Sequence, residues 1–158
     1  MTLERYKEKR DFTKTPEPKA SPKAKGRDRF VVQEHHATQL HWDFRLEMTE
    51  NLDSDAIVLK SWAVPKGMPE EIGEKRLAVE VEDHPVDYID FEGEIPEGSY
   101  GAGIVKIWDK GKYEPIKRDE HVIGFILNGK KAKGRYTLIK TQGYGGKNSW
   151  LITKNTPK

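Results

Sequence analysis

From Arg29 onward the chain is cut into short runs of alternating apolar and polar residues, each stopped by Gly, Pro or Asn. In LHWDFRLEM, Trp42, Phe44 and Leu46 alternate with His41, Asp43 and Arg45. In RLAVEVEDHP, Leu77, Val79 and Val81 alternate with Arg76, Ala78, Glu80, Glu82 and His84. A period of two places successive side chains on opposite faces of a strand. RFVVQEH and AIVLKSWAVP precede and separate these runs; HVIGFILNGKKAKGRYTLIKTQ reads as two strands, and NSWLITK as a last one. No segment sustains a 3.6-residue period and no internal repeat is present, so helical bundles and α/β sheets are excluded. Short strands with frequent turn signals predict an all-β fold. The expectation is a Greek-key-like antiparallel β-barrel of about eight strands, with little helix and a polar active-site groove on its surface. Asn128-Gly129 suits a tight hairpin turn with positive φ. One helical turn is expected at Pro69–Gly73.

The 158 residues suit one domain, and no apolar run reaches the length of a membrane span. The charged start MTLERYKEKRDF does not read as a secretory signal. There is no cysteine, which excludes disulfides, thiol catalysis and iron–sulfur sites. A cytoplasmic protein is therefore expected. The net charge of +2 hides an asymmetry: residues 1–29 hold ten Lys/Arg against five Asp/Glu, the remainder 18 against 21. Residues 1–28 are read as a basic, Pro/Lys-rich, partly mobile segment, and 29–158 as the barrel. Within the first, TKTPEPKASPKAKGRD (13–28) is expected to be extended, with Tyr6 and Phe12 free to dock on the body. Such a tail attracts a polyanion such as nucleic acid, or serves only solubility. Either way it is expected to do no chemistry.

His35–Arg45 packs three of the five histidines, an Asp and an Arg into eleven residues. Imidazole with carboxylate suits first-row divalent metals. In one straight strand His35 and His41 would lie about 20 Å apart, too far to share an ion. If both are ligands, the chain must bend within Ala37–Leu40 and His36 must point away. The other reading is a solvated strand face with no ligand. Arg76, Glu82 and His84 are expected on one face of a second strand, where Arg and Glu also form ordinary cross-strand ion pairs. Lys66 follows a strand in VPKG. A metal beside Arg, Lys and His suits phosphoryl chemistry. The glycines of EGSYGAG match no P-loop and suit barrel corners. GYGGKN reads as a hairpin loop, and the four tryptophans as core.

Taken together, YKEKRDFTKTPEP, RFVVQEHHATQLHWDFRLE, LKSWAVPKG, LAVEVEDHPVDYIDFEGEIPEGSYGAG, VKIWDKGKYEP, LNGKKAKGRYTLIK and WLITK resemble the 3′-phosphoesterase domain of the DNA ligase D family, here as a free-standing protein. The resemblance runs nearly end to end. It implies a β-barrel enzyme of double-strand-break end joining that depends on Mn2+, with Co2+ or Zn2+ as possible substitutes. It also implies removal of a 3′-terminal ribonucleoside and then of the resulting 3′-phosphate, leaving a 3′-OH. Implied partners are primer-template DNA and a separate ligase or polymerase acting at the nucleoid, with no membrane. The implied metal ligands are His35, His41 and Asp43. Arg45, His84 and Tyr88 match the catalytic phosphate-side residues, and Gln33, Lys66, Arg76 and Glu82 the supporting phosphate or substrate contacts. Gln39 stands where the family has Arg, and Trp42 where it has Tyr or Phe; neither is a ligand.

Two rival readings use the same residues. A non-haem iron oxygenase also employs two His and a carboxylate, and would recruit His84 or His121. A non-catalytic nucleic-acid-binding barrel of OB type would show stacking aromatics interleaved with basic residues, and no such stripe is present.

Overall fold

The computed structural model describes residues 2–19, 26–141 and 146–157. Nine strands run in chain order: β1 Arg29–His36, β2 Leu40–Thr49, β3 Ile57–Val64, β4 Lys75–His84, β5 Gly93–Ile95, β6 Gly103–Arg118, β7 Val122–Asn128, β8 Lys133–Lys140 and β9 Ser149–Asn155. Neighbours follow the order β1-β2-β3-β4-β9-β8-β7-β6-β5, all antiparallel, and β1 also pairs with β6. That pairing closes eight strands into a barrel and leaves β5 as an extra strand on β6. Closure removes the unpaired edges of an open sheet. The chain passes from β4 to β6 outside the meander and returns beside β1, a Greek-key-like connection. The expected fold class is the one observed.

The interior is filled by the apolar face of each alternating run, with Phe30, Val32, Phe44, Leu46, Trp62, Phe125, Leu138 and Ile152 fully buried. Trp150 joins this core, and Trp42 and Trp108 pack against it, as expected of the tryptophans. A second apolar cluster lies on the outer face of β1 and β3. There Val31 and Leu59 meet Tyr6, Tyr88, Ile89 and Phe91.

Two local expectations are corrected. Pro69–Gly73 forms no helical turn, because the Glu74 carboxylate accepts the Glu70 and Glu71 N–H groups at 2.9 and 2.8 Å and closes a turn instead. Asn128-Gly129 is not a two-residue turn, and Gly129 does not have positive φ. The loop runs from 129 to 132, and the Asp109 carboxylate accepts the N–H groups of Lys130, Lys131 and Ala132 at 3.1, 2.8 and 2.7 Å. Glycine is needed at 129 because a Cβ would lie 2.2 Å from Asp109 Oδ2 and 2.7 Å from the Phe30 ring.

Burial alone would raise the Asp109 pKa; the backbone donors outweigh it and hold the group below the usual range. Its stabilisation is therefore full above the unfolded value of about 3.9 and lost as pH falls through the lower folded value. Asp109→Ala is expected to cost about 1–3 kcal/mol at neutral pH in urea titration. The penalty should vanish in strong acid.

Two short helical elements were not legible in the periodicity. A 3-10 turn spans Val86–Asp90. Helix α1, Leu3–Glu8, is capped by Thr2, whose hydroxyl accepts the Arg5 N–H, and buries Leu3 and Tyr6. Tyr6 is fully buried and its hydroxyl donates to the Pro18 carbonyl. Thr15 and Glu17 are buried as well. The N-terminal segment therefore covers the outer face of the barrel as far as its described part extends. The rest of the expected extended stretch, residues 20–25, and residues 142–145 of the GYGGKN loop lie outside the described residues. Among the described residues no helix is long and apolar enough to cross a membrane.

Candidate metal centre and phosphate pocket

The chain reverses between His36 and Leu40, as the distance argument required, and His35 becomes the direct cross-strand partner of His41. Their ring centroids are 4.8 Å apart. Asp43 follows on the same face of β2. His35 Nδ1 lies 3.4 Å from Asp43 Oδ2, and His41 Nε2 lies 3.2 Å from Asp43 Oδ1. One ligand atom from each of the three falls within 4.8 Å of the others, so the group could hold a metal ion. His36 is exposed and turned toward Glu34.

The hydrogen bonds of the two imidazoles test whether a cation fits. A carbonyl can only accept. His35 Nε2 therefore donates to the Gly101 carbonyl at 2.8 Å, and His41 Nδ1 donates to the Gln39 carbonyl at 3.1 Å. In the neutral rings this leaves His35 Nδ1 and His41 Nε2 as bare acceptors, both directed at a carboxylate that is itself an acceptor. With neutral rings the three acceptors converge as a group that could hold a cation, and both non-ligating nitrogens are already anchored as metal-bound histidines require. Burial would raise the Asp43 pKa; contacts with His35 and His41 and the charge of Arg45 outweigh it and keep the carboxylate ionised. The Asp43 contact raises His41, against the effect of its burial.

Beside this triad, Arg45 is 3% exposed. Its Nη2 lies 3.5 Å from Asp43, and its Nε donates to Gln33 Oε1 at 2.6 Å. The guanidinium sits over the Tyr88 ring, 4.8 Å from its centroid. Nη1 is buried without a hydrogen-bond partner among the described residues, although guanidinium donors are almost always used when buried. Gln33 is fully buried, and its amide donates to the Tyr88 and Phe91 carbonyls. It braces Arg45 and does not open to the pocket.

The strand carrying His84 breaks its alternation. Ser61 pairs with Val81 but Leu59 pairs with His84, so β4 holds one extra residue across from Lys60. His84 thereby shares the outer face with Ser61 and Arg45. Arg76 pairs with Ile152 on the inner face. The expectation that Arg76, Glu82 and His84 share one face is thus corrected, since a β-bulge intervenes. His84 Nδ1 donates to the Glu82 carbonyl at 2.9 Å, which leaves Nε2 to accept from Arg10 Nη2 at 3.3 Å. Burial and the nearby charges of Arg45 and Arg10 push its pKa well down, so the ring is neutral. The Tyr88 hydroxyl donates to Glu17 at 2.6 Å, and burial pushes its pKa well up.

His35, His41, Asp43, Arg45, His84 and Tyr88 line a single cavity of about 310 Å³, with Glu82 in its wall. Lys66 and Arg76 do not line it. Lys66 is exposed in the β3–β4 turn, and Arg76 is spent on the Lys66 carbonyl at 2.7 Å and on Glu74 at 2.9 Å. His121 lies in the β6–β7 turn and lines a different cavity, so it cannot complete an oxygenase-type ligand set here.

Two charged lining residues escaped the sequence reading, Arg10 and Glu17. Arg10 ion-pairs with Glu17 at 2.9 Å and Glu82 at 3.1 Å and stacks on Tyr6 at 4.0 Å. Their signal was the flanking Tyr6 and Phe12, apolar anchors in an otherwise polar segment. Deleting residues 1–28 is therefore expected to destabilise the barrel as well as to open the cavity wall. Losing the buried Leu3 and Tyr6 should cost about 1.5–3 kcal/mol each. A lower Tm together with lost activity would be the outcome; a truncated protein with the wild-type Tm would show the segment to be dispensable.

A family model described as the DNA Ligase D 3′-phosphoesterase domain matches residues 33–140. The multifunctional non-homologous end joining protein LigD of Pseudomonas aeruginosa is 46% identical over 160 residues, covering 96% of this chain. The protein of the same description from Mycolicibacterium smegmatis is 47% identical over 162 residues, covering 94%. The multifunctional non-homologous end joining DNA repair protein LigD of Mycobacterium tuberculosis is 48% identical over 147 residues, covering 89%. The chain spans 18–20% of the length of these curated relatives. The chain belongs to the DNA ligase D 3′-phosphoesterase domain family.

Proposed function

We propose that this chain is a manganese-dependent 3′-end-healing phosphoesterase. It removes a 3′-terminal ribonucleoside from a primer strand, then the 3′-phosphate left behind, to give a 3′-OH. Its substrate is a primer-template DNA end, its setting is end joining in the cytoplasm at the nucleoid, and a ligase or polymerase uses its product. The observation that carries this reading is the acceptor-only triad of His35, His41 and Asp43 next to the unpartnered buried Nη1 of Arg45.

His35 Nδ1, His41 Nε2 and Asp43 would hold the ion. A divalent ion bound there supplies Lewis acidity toward a phosphate oxygen. Arg45, braced by Gln33 and Tyr88 in the cavity wall, brings its guanidinium charge to a second phosphate oxygen and stabilises the charge that builds on it. Because Gln33 and the Tyr88 ring fix the guanidinium before substrate arrives, little reorganisation is needed at the moment of reaction. His84 is neutral and its Nε2 accepts from Arg10 Nη2, so it enters by exchanging that contact for a proton, from water or from a protonated phosphate oxygen. Only then can it donate to the leaving 3′ oxygen. Tyr88 and Glu17 hold Arg10 and Arg45 in place by hydrogen bond and ring contact, and Glu82 balances Lys9 and Arg10.

The test is a 5′-labelled primer-template ending in one 3′-ribonucleotide, incubated with chelator alone or with Mn2+, Co2+, Zn2+ or Mg2+. The expected result is conversion to a 3′-phosphate and then a 3′-OH product with Mn2+, and none with chelator. Equal turnover in chelator would overturn the metal assignment, and no product with any metal would overturn the activity.

A further inference from the structure

His84 reaches the pocket only because of the β4 bulge. Counting back from Val81, regular alternation would turn Asp83 toward Arg45 and Ser61, and His84 into the barrel. Instead Val81 and Glu82 both line the outer cavity, and His84 follows them. Something must hold an extra residue in β4 at this point, since a bulge interrupts the ladder and leaves a backbone group unpaired.

The residue across from the bulge is Lys60, between Leu59 and Ser61 where the register shifts. It pairs with Leu46, a fully buried interior residue, so its side chain runs on the inner face of the barrel. Its ammonium lies 2.9 Å from Asp83 Oδ1 and donates to the Glu50 carbonyl at 3.1 Å. Asp83 is completely buried, and Lys60 is its ion-pair partner among the described residues. Glu80 stands 3.8 Å from the same ammonium and is also bound by the Trp150 indole N–H. Arg118, which also feels the charges of Asp83 and Glu80, is tied to Thr49.

We infer that the interior Lys60–Asp83 ion pair clamps the β4 bulge and thereby turns His84 onto the catalytic face, which makes both residues positioning residues for the phosphoesterase reaction. The inference rests on the function proposed above. Asp83 and His84 are consecutive, so anchoring one carboxylate inside the barrel sends the next side chain out. A buried ion pair is poor at stabilising a fold but good at selecting one register over another. Burial pushes the Asp83 carboxyl up to about 6, with Lys60 opposing and Glu80 adding to the rise.

The decisive variant is the double substitution Lys60→Met, Asp83→Leu, which replaces the pair by apolar groups of similar volume. The folded barrel should be retained in urea titration, while kcat on a 3′-phosphate primer falls about 10- to 10²-fold, as expected for a displaced catalytic group. KM should barely move, because Arg45 and the metal triad are untouched. Lys60→Arg, which keeps the pair, should hold kcat close to wild type. Leu138→Ala, a cavity in the core away from the bulge, serves as the stability control and should leave kcat unchanged. Wild-type kcat in the double variant would overturn the inference. If the wild-type chain does not act on this primer, the functional reading falls, and an NMR contact still decides the positioning. The His84 and Tyr88 rings lie 4.6 Å apart by centroid. Their NOE should be present in wild type and lost in the double variant; its persistence there would overturn the clamp.

Discussion

His41→Ala is expected to abolish Mn2+-dependent cleavage of both 3′-ribonucleotide and 3′-phosphate primers while leaving the barrel folded. His41 is partly exposed at the turn end of the β1–β2 hairpin and belongs to neither apolar cluster, so trimming it removes no core contact. What it removes is one of three converging acceptors. Loss of an outer contact to a metal ligand typically costs 10–100-fold in affinity or activity. Losing the ligand itself should cost more, about 10³-fold or beyond at subsaturating metal. The check is Mn2+ titration of activity beside calorimetric Mn2+ binding, with circular dichroism for the fold. His36→Ala is the matched control, because His36 is turned away from the triad and should be mild. An active His41 variant with unchanged metal binding would remove this residue from the centre.

Arg45→Ala is expected to remove 3′-phosphatase activity almost completely, by about 10²–10³-fold, the usual cost of a lost charge-stabilising donor. A phosphomonoester carries more charge than a diester and leans harder on charge-assisted hydrogen bonds. The ribonuclease step should therefore be hit less. Arg45 is almost entirely buried, so the fold has to be monitored as well. Its removal leaves Gln33 Oε1 without its donor and Asp43 without a neighbouring positive charge. Arg45→Lys separates the effects: it restores charge but not the Nε–Gln33 brace or the flat contact with Tyr88. It should recover stability more than rate. Side-by-side rates on the two primers, with thermal melting of each variant, check this. A wild-type phosphatase rate in Arg45→Ala would take the residue out of the chemistry.

Gln33 lies beside the triad, paired directly with Asp43. It was expected to touch phosphate or substrate. Yet it is completely buried, with its amide committed to Arg45 and to two backbone carbonyls. Lys66 and Arg76 were expected in the same supporting set, and their side chains lie outside the cavity in this structure. A substrate-bound role for them would require the 3′ strand itself to extend past the β3–β4 turn.

The eight-strand barrel and the faces of β2 were readable from residues alone, because a period of two sorts side chains onto faces. The meeting of His35 with His41 was readable only on condition that both are ligands, and the hairpin that joins them is seen in the structure. Non-local pairings were beyond that reach. The β4 bulge is invisible in RLAVEVEDHP because period two continues through it on paper; only pairing with β3, across Lys60, shows that Arg76 and His84 face opposite ways. The loop after Asn128 depends on Asp109, a residue on another strand. The N-terminal segment reads as a polar tail with Tyr6 and Phe12 free to dock, and four side chains of its described part do meet the barrel. Tyr6 and Leu3 enter apolar ground on the barrel's outer face, and Arg10 and Glu17 find buried partners there. Local sequence determined which strands form and which residues each strand offers to either face. Tertiary structure decided which of those residues meet, because contacts between distant segments depend on where the ladder slips and on what covers it.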